Sequence, residues 1–105
     1  AELSGLYGFD VPSTPGMTTP QMMDAAGEGN MDVLFAVGGN FREAMPNPKG
    51  VDEALANIPL RVHMDIVLSS QMLVEPKETV LLLPAMTRYE IPGGVTETST
   101  ERRII

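Results

Sequence analysis

The feature that most constrains this chain is a short apolar run, Asp32-Val33-Leu34-Phe35-Ala36-Val37, that ends directly in Gly38-Gly39-Asn40. Apolar residues without alternation are the pattern of a parallel strand covered on both faces. Two consecutive glycines at its end let the backbone approach a ligand that any Cβ would push away. A second apolar run, 60–68, carries Asp65 near its own carboxyl end. Open α/β sheets bind ligands outside the carboxyl ends of their strands. Glycine at one tip and a carboxylate at the next therefore describe half of a dinucleotide site.

The rest of the chain is arranged around these two runs. Residues 1–19 are rich in Gly, Pro, Ser and Thr and read as an irregular lead-in. Thr19-Pro20 reads as an N-cap with proline at the first helical position, opening a short helix that Gly27 and Gly29 stop. Residues 38–50 read as a long loop, because Pro46 and Pro48 interrupt regular structure. A helix is expected over 51–57, with Asp52 and Glu53 in its first turn, where carboxylates suit the dipole. Strands follow at 60–67 and 79–83, separated by polar Ser69-Ser70-Gln71 and the turn Glu75-Pro76-Lys77. This order predicts an α/β fold: a three-layer, small, mostly parallel sheet flanked by helices, like half of a Rossmann or flavodoxin domain. One domain spans 1–105, with its βα core at 20–84 and a closing loop and edge segment at 85–105. Arg103-Ile104-Ile105 stops inside what reads as an unfinished strand, as expected of a segment of a longer polypeptide.

Composition narrows the function classes. The formal charge is −7, and only Arg102-Arg103 are adjacent among seven basic residues, which argues against nucleic acid as a partner. There is no cysteine, so disulfides, iron–sulfur ligation and thiol nucleophiles are excluded within these 105 residues. A single histidine, His63, argues against a zinc site. No stretch reaches the roughly 20 apolar residues of a membrane span, and a signal-peptide pattern is lacking, so a cytoplasmic location is expected.

Three groups of residues could carry chemistry. Gly38, Gly39 and Asn40 could contact a phosphate or pterin through main-chain N–H groups and the Asn40 amide. A plain strand-to-loop turn would use the same residues. The turn is not the G-x-G-x-x-G of nicotinamide enzymes, because a loop with prolines follows it. On the second strand Arg61, His63 and Asp65 share one face, where buried polar groups need an explanation. Asp65 could accept the N1 and N2 hydrogens of a guanine, or a ribose hydroxyl. It could equally pair internally with Arg61 or cap the Ser69-Ser70-Gln71 turn. His63 reads as a hydrogen-bonded strand residue, since no nucleophile–base–orienter set forms around it. Glu90-Ile91-Pro92-Gly93-Gly94 precedes a hydroxyl-rich stretch and Glu101-Arg102-Arg103, which could bind phosphate or pterin edges or form a solvated loop with local ion pairs.

Taken in order, these pieces resemble a known family. The run 32–40 resembles the strand and Gly-x-Asn turn of the molybdopterin oxidoreductases, the dimethyl sulfoxide reductase superfamily. The segment 64–71 is similar to that family's Gln-Asp-Ile-Phe-Leu-Thr-Glu-Thr, and 79–85 to its Ala-Asp-Val-Val-Leu-Pro-Ala strand. Glu90, Gly94 and Glu101-Arg102-Arg103 match its closing Glu-x-x-Gly…Glu-x-Arg signature. The match spans residues 31–105, and the branch it resembles most is the formate dehydrogenase alpha-subunit-like proteins.

That resemblance implies a large enzyme holding molybdenum or tungsten between two molybdopterin guanine dinucleotides, with a 4Fe-4S cluster nearby and a small-molecule redox substrate. This chain would be one α/β cofactor-binding domain, whose partners are the remaining domains of the same polypeptide. By carry-over Gly38, Gly39 and Asn40 would line the pyranopterin dinucleotide. Asp65 would recognise its guanosine end, Ser69 would support that end, and Glu90 and Gly94 would shape the loop that closes over it. The family's Glu between Gly and Asn is Gly39 here, its following Pro is Phe41, and Ser99 stands where Asn is usual. Neither the catalytic metal ligand nor the cysteine cluster lies in this segment, so the segment alone is not expected to turn over substrate. The rivals are a flavodoxin-like acidic interaction module that binds no nucleotide, and a phosphoacceptor domain using Asp65. The latter lacks the second acidic cluster expected at the first strand's end.

Overall fold

The structure, a computed structural model, describes residues 2–93. Three parallel strands, β1 (Val33–Val37), β2 (Leu60–Asp65) and β3 (Thr79–Pro84), lie in the order β1-β2-β3. Val33 pairs with Leu60 and Leu60 with Thr79, so the three carboxyl tips fall side by side. Helices α1 (Glu2–Tyr7), α2 (Thr19–Gly27), α3 (Phe41–Ala44) and α4 (Pro48–Asn57) and a 3-10 helix (Ser70–Leu73) complete the described fold. The fold is α/β with a small parallel sheet flanked by helices, as the sequence pattern predicts.

Helix α2 starts one residue earlier than Thr19-Pro20 suggested. Its N-cap is Thr18, whose backbone N–H donates to the Gln21 side chain at 2.8 Å, and proline takes one of the first helical positions. It ends through Gly29, at φ 77°, where the Asn30 N–H reaches back to the Ala25 carbonyl. Met23 and Ala26 of α2 pack on Val51, Ala54, Leu55 and Ile58 from α4 and its end, and Leu34 of β1 leans on this cluster. Leu55 and Ile58 are fully buried, each worth roughly 2 kcal/mol of apolar transfer.

Both crossovers step in the same direction across the sheet, and the helical core lies over the face that carries Leu34. On the opposite face Val33, Phe35 and Val37 of β1 and Leu81 and Leu83 of β3 are exposed, while Val62 of the central strand is buried between them. Double-sided cover of β1, expected from its unbroken apolar run, is therefore not supplied by the described residues. Chains that advance in one direction with same-handed crossovers place their connections on one side of the sheet.

Three further expectations change. Residues 2–7 form α1 rather than irregular chain. The loop 38–50 contains α3, and Pro48 opens α4, since proline lacks only an N–H that the first turn would not use. Asp52 therefore sits in the middle of α4, where its carboxylate binds the Arg42 guanidinium and ties α3 to α4. That guanidinium holds the Asp52 carboxyl below its ordinary pKa. Strand β2 stops at Asp65 rather than running to 67.

Candidate functional site

The tips of β1 and β2 share one groove of about 500 Å³. Gly39, Asn40, Asp65 and Ser69 all line it, and Glu43 and Ser70 complete its polar wall. Pro46 and Pro48 are not among its lining residues, so the proline-rich loop does not plug it. The strand ends are fixed on both sides: the Gly38 N–H donates to the Met64 carbonyl at 2.8 Å, and the Ala85 N–H to the Asp65 carbonyl at 2.9 Å. Asp65 thus projects from the tip of the central strand, where neighbouring pairing sets its direction.

Gly38 and Gly39 hold φ of 68° and 75°, and a Cβ built on either meets no atom within 4 Å. Glycine is required there by backbone conformation, and its bare surface leaves space beside the groove. The turn is latched to the 3-10 helix. Gln71, itself buried, donates from Nε2 to the Gly39 carbonyl at 2.7 Å and accepts from the Phe41 N–H at 3.0 Å. Asn40 donates from Nδ2 to Ser70 Oγ at 3.1 Å, and the Ser70 hydroxyl donates to Glu43 at 2.8 Å.

The polar face of β2 divides into two jobs. Arg61 is fully buried and donates to the carbonyls of Gln71, at 3.1 Å, and Val74. Burial pulls its pKa below the ordinary arginine value. Asp65 instead accepts from the Ile66 N–H at 2.7 Å and lines the groove. The internal Arg61–Asp65 pair, one of the open alternatives, does not form among the described residues. His63 is 1% exposed, and neither of its ring nitrogens has a hydrogen-bond partner among the described residues. Desolvation, then the Arg61 charge, hold its pKa below the ordinary histidine value. The satisfied strand histidine expected from sequence is therefore replaced by a neutral, unpartnered ring. It faces a second cavity of about 250 Å³ between the β2 and β3 tips, shared with Asp65, Met72 and Leu82.

Other candidates fall elsewhere. Gly38 sits in the turn but is not among the groove's lining residues. Glu90 accepts from the Thr87 N–H and hydroxyl, both at 2.8 Å, which lowers its pKa and makes it a local turn residue. Gly94 and the Glu101-Arg102-Arg103 cluster lie outside the described residues. Ser69 Oγ is buried with no partner among the described residues, a hydroxyl left available in the groove wall. Sequence reasoning missed Gln71, Ser70 and Glu43. For Ser70 and Gln71 the only signal was a polar triplet following an apolar strand, which does not show what those side chains reach, and Glu43 carried none.

Among the described residues no Lys or Arg lines the groove, whereas two carboxylates, Asp65 and Glu43, do. Such a wall accepts hydrogen bonds from N–H-rich edges and disfavours bare anions, leaving any phosphate to main-chain N–H groups. No cluster of three or more His, Asp or Glu positioned for a metal occurs among the described residues. None of the described helices is long and apolar enough to cross a membrane.

No protein-family model matches the chain. Similarity to curated proteins is extensive across it. It is 33% identical over 91 residues to protein YdeP of Escherichia coli (strain K12), covering 87% of this chain and 12% of YdeP. It is 31% identical over 104 residues to the putative formate dehydrogenase YrhE of Bacillus subtilis (strain 168), covering 99% of this chain and 10% of YrhE. A nitrate reductase of Klebsiella oxytoca is 32% identical over 103 residues, covering 97% of this chain and 11% of that protein. The chain spans about a tenth of the length of the curated relatives it matches.

Proposed function

We propose that this chain is a cofactor-binding segment of a molybdopterin-dependent oxidoreductase of the formate dehydrogenase-like type, and that its groove holds the guanosine end of one molybdopterin guanine dinucleotide arm. The observation that carries this proposal is the meeting of Gly39, Asn40, Asp65 and Ser69 in one groove at the carboxyl tips of two parallel strands. Support also comes from relatives named as a putative formate dehydrogenase and a nitrate reductase, matched over nearly the whole chain.

The residues present fit such a group. The Gly38-Gly39 turn offers main chain without Cβ atoms, and Ser69 Oγ is a buried hydroxyl awaiting a partner. Asp65 would accept the paired N–H donors on the edge of a guanine, a bidentate arrangement that matches a carboxylate. Asn40 would orient the neighbouring part of the arm through the Ser70–Glu43 network that fixes its amide. The cofactor, when bound, supplies the redox chemistry, and these residues bind and orient it. The metal ligand and any cysteine-ligated cluster would come from the remainder of the parent polypeptide, as this chain contains no cysteine. The small-molecule substrate would likewise be met by other domains.

The test is Asp65→Ala in the full-length parent protein. Guanine nucleotide released on acid hydrolysis of the purified protein should fall severalfold relative to wild type, with activity falling in parallel. Wild-type nucleotide content and activity would remove Asp65 from the site and favour an acidic interaction module.

A further inference from the structure

The turn at the tip of β1 is braced by a residue far away in sequence. Left-handed φ values at Gly38 and Gly39 permit the turn but do not select it, because glycine populates many other conformations. Selection comes from the Gln71 carboxamide, which bonds the main chain on both sides of Asn40, at Gly39 and at Phe41. Gln71 cannot drift, since it is 1% exposed and its own carbonyl accepts from buried Arg61.

The geometry points to Gln71 as a positioning residue that holds Gly39 and Asn40 in their groove-lining form, with Arg61 anchoring it from beneath. A carboxamide donates from one atom and accepts at its neighbour while staying uncharged at every pH, as this brace requires. Asn40 is thereby presented between two fixed bonds, and its amide needs no rearrangement to meet a bound molecule. The inference deepens the cofactor reading above, and its functional consequence rests on that reading. The brace itself is a property of the chain.

The experiment uses the full-length parent protein, prepared from a host that makes no cofactor, and hydrogen exchange read on the peptide spanning 36–42. Gln71→Met keeps the volume and removes both bonds. It should speed exchange at the Phe41 amide by about tenfold, while exchange in β2 stays unchanged. Gln71→Glu gives a rescue that simple loss of packing would not. Its protonated carboxyl can donate to Gly39 and accept from Phe41, whereas the ionised form can only accept. The Phe41 N–H therefore keeps an acceptor in both forms, and its protection, corrected for intrinsic exchange, should exceed that of Gln71→Met at every pH, most at low pH, where the bond to the Gly39 carbonyl also forms. The charged groups around that position are Arg61 beneath, Glu43 across Ser70, and Asp65 in the shared groove. Unchanged Phe41 protection in Gln71→Met, or protection in Gln71→Glu no greater than in Gln71→Met, would overturn the brace. In protein from a cofactor-producing host, guanine nucleotide content should fall together with that protection. Faster exchange with full nucleotide content would leave the brace standing and overturn the assignment of the turn to the cofactor site.

Discussion

Arg61 and Asp65 share one face of β2, yet the guanidinium turns inward to the Gln71 and Val74 carbonyls while the carboxylate stays at the strand tip in the groove. One strand thus carries a structural cation and an available anion that do not neutralise each other. Separation of the two keeps Asp65 available to a ligand.

Arg61→Met should destabilise the protein by about 3 kcal/mol, because it strands two carbonyls that the guanidinium now satisfies. Arg61→Lys should recover only part of this, since an ammonium on a flexible stem replaces a two-pronged donor. Urea denaturation with an unchanged m-value would report the loss as a lower midpoint. A midpoint equal to wild type in both variants would show that the interior contacts of Arg61 contribute nothing.

Gly39→Ala should cost about 1 kcal/mol through left-handed strain alone, as φ is 75° and nothing stands within 4 Å of the new Cβ. Gly39→Asn should cost less, because asparagine tolerates that conformation. Thermal melts of the two variants would check the order. Equal losses would point to a steric cause that the open surroundings of Gly39 do not provide.

His63 gives a pH dependence with a definite sign. Its folded pKa lies below the ordinary value, so between the two values the unfolded chain binds more protons than the folded one. Stability is then full above about pH 6.5 and declines as pH falls below it. His63→Leu should flatten the part of the curve below about pH 6.5, which denaturant midpoints at a series of pH values would reveal. A wild-type slope retained in the variant would assign the titration to another group.

Much of the fold was legible in the chain because its signals are local. Unbroken apolar runs at β1 and β3, the alternating run at β2, the proline at the start of α2 and the glycine after it mark elements without reference to distant partners. The period-2 pattern also put Arg61, His63 and Asp65 on one face correctly. What stayed hidden was locally ambiguous or non-local. Pro46 and Pro48 argued for loop, but proline is compatible with a first helical turn, so α4 begins at Pro48. The exposed face of β1 reflects what lies beside the strand in space, which its own composition does not encode. Gln71 carries no motif, and its role exists only because the fold brings the 3-10 helix against Phe41 and Gly39.

The most direct measurement is a crystal structure of the full-length parent protein loaded with its cofactor. A guanine edge within hydrogen-bond distance of the Asp65 carboxylate is predicted, with the same arm passing over Gly39 and Asn40. A guanine dinucleotide bound elsewhere, with Asp65 facing only solvent or protein, would contradict the proposal.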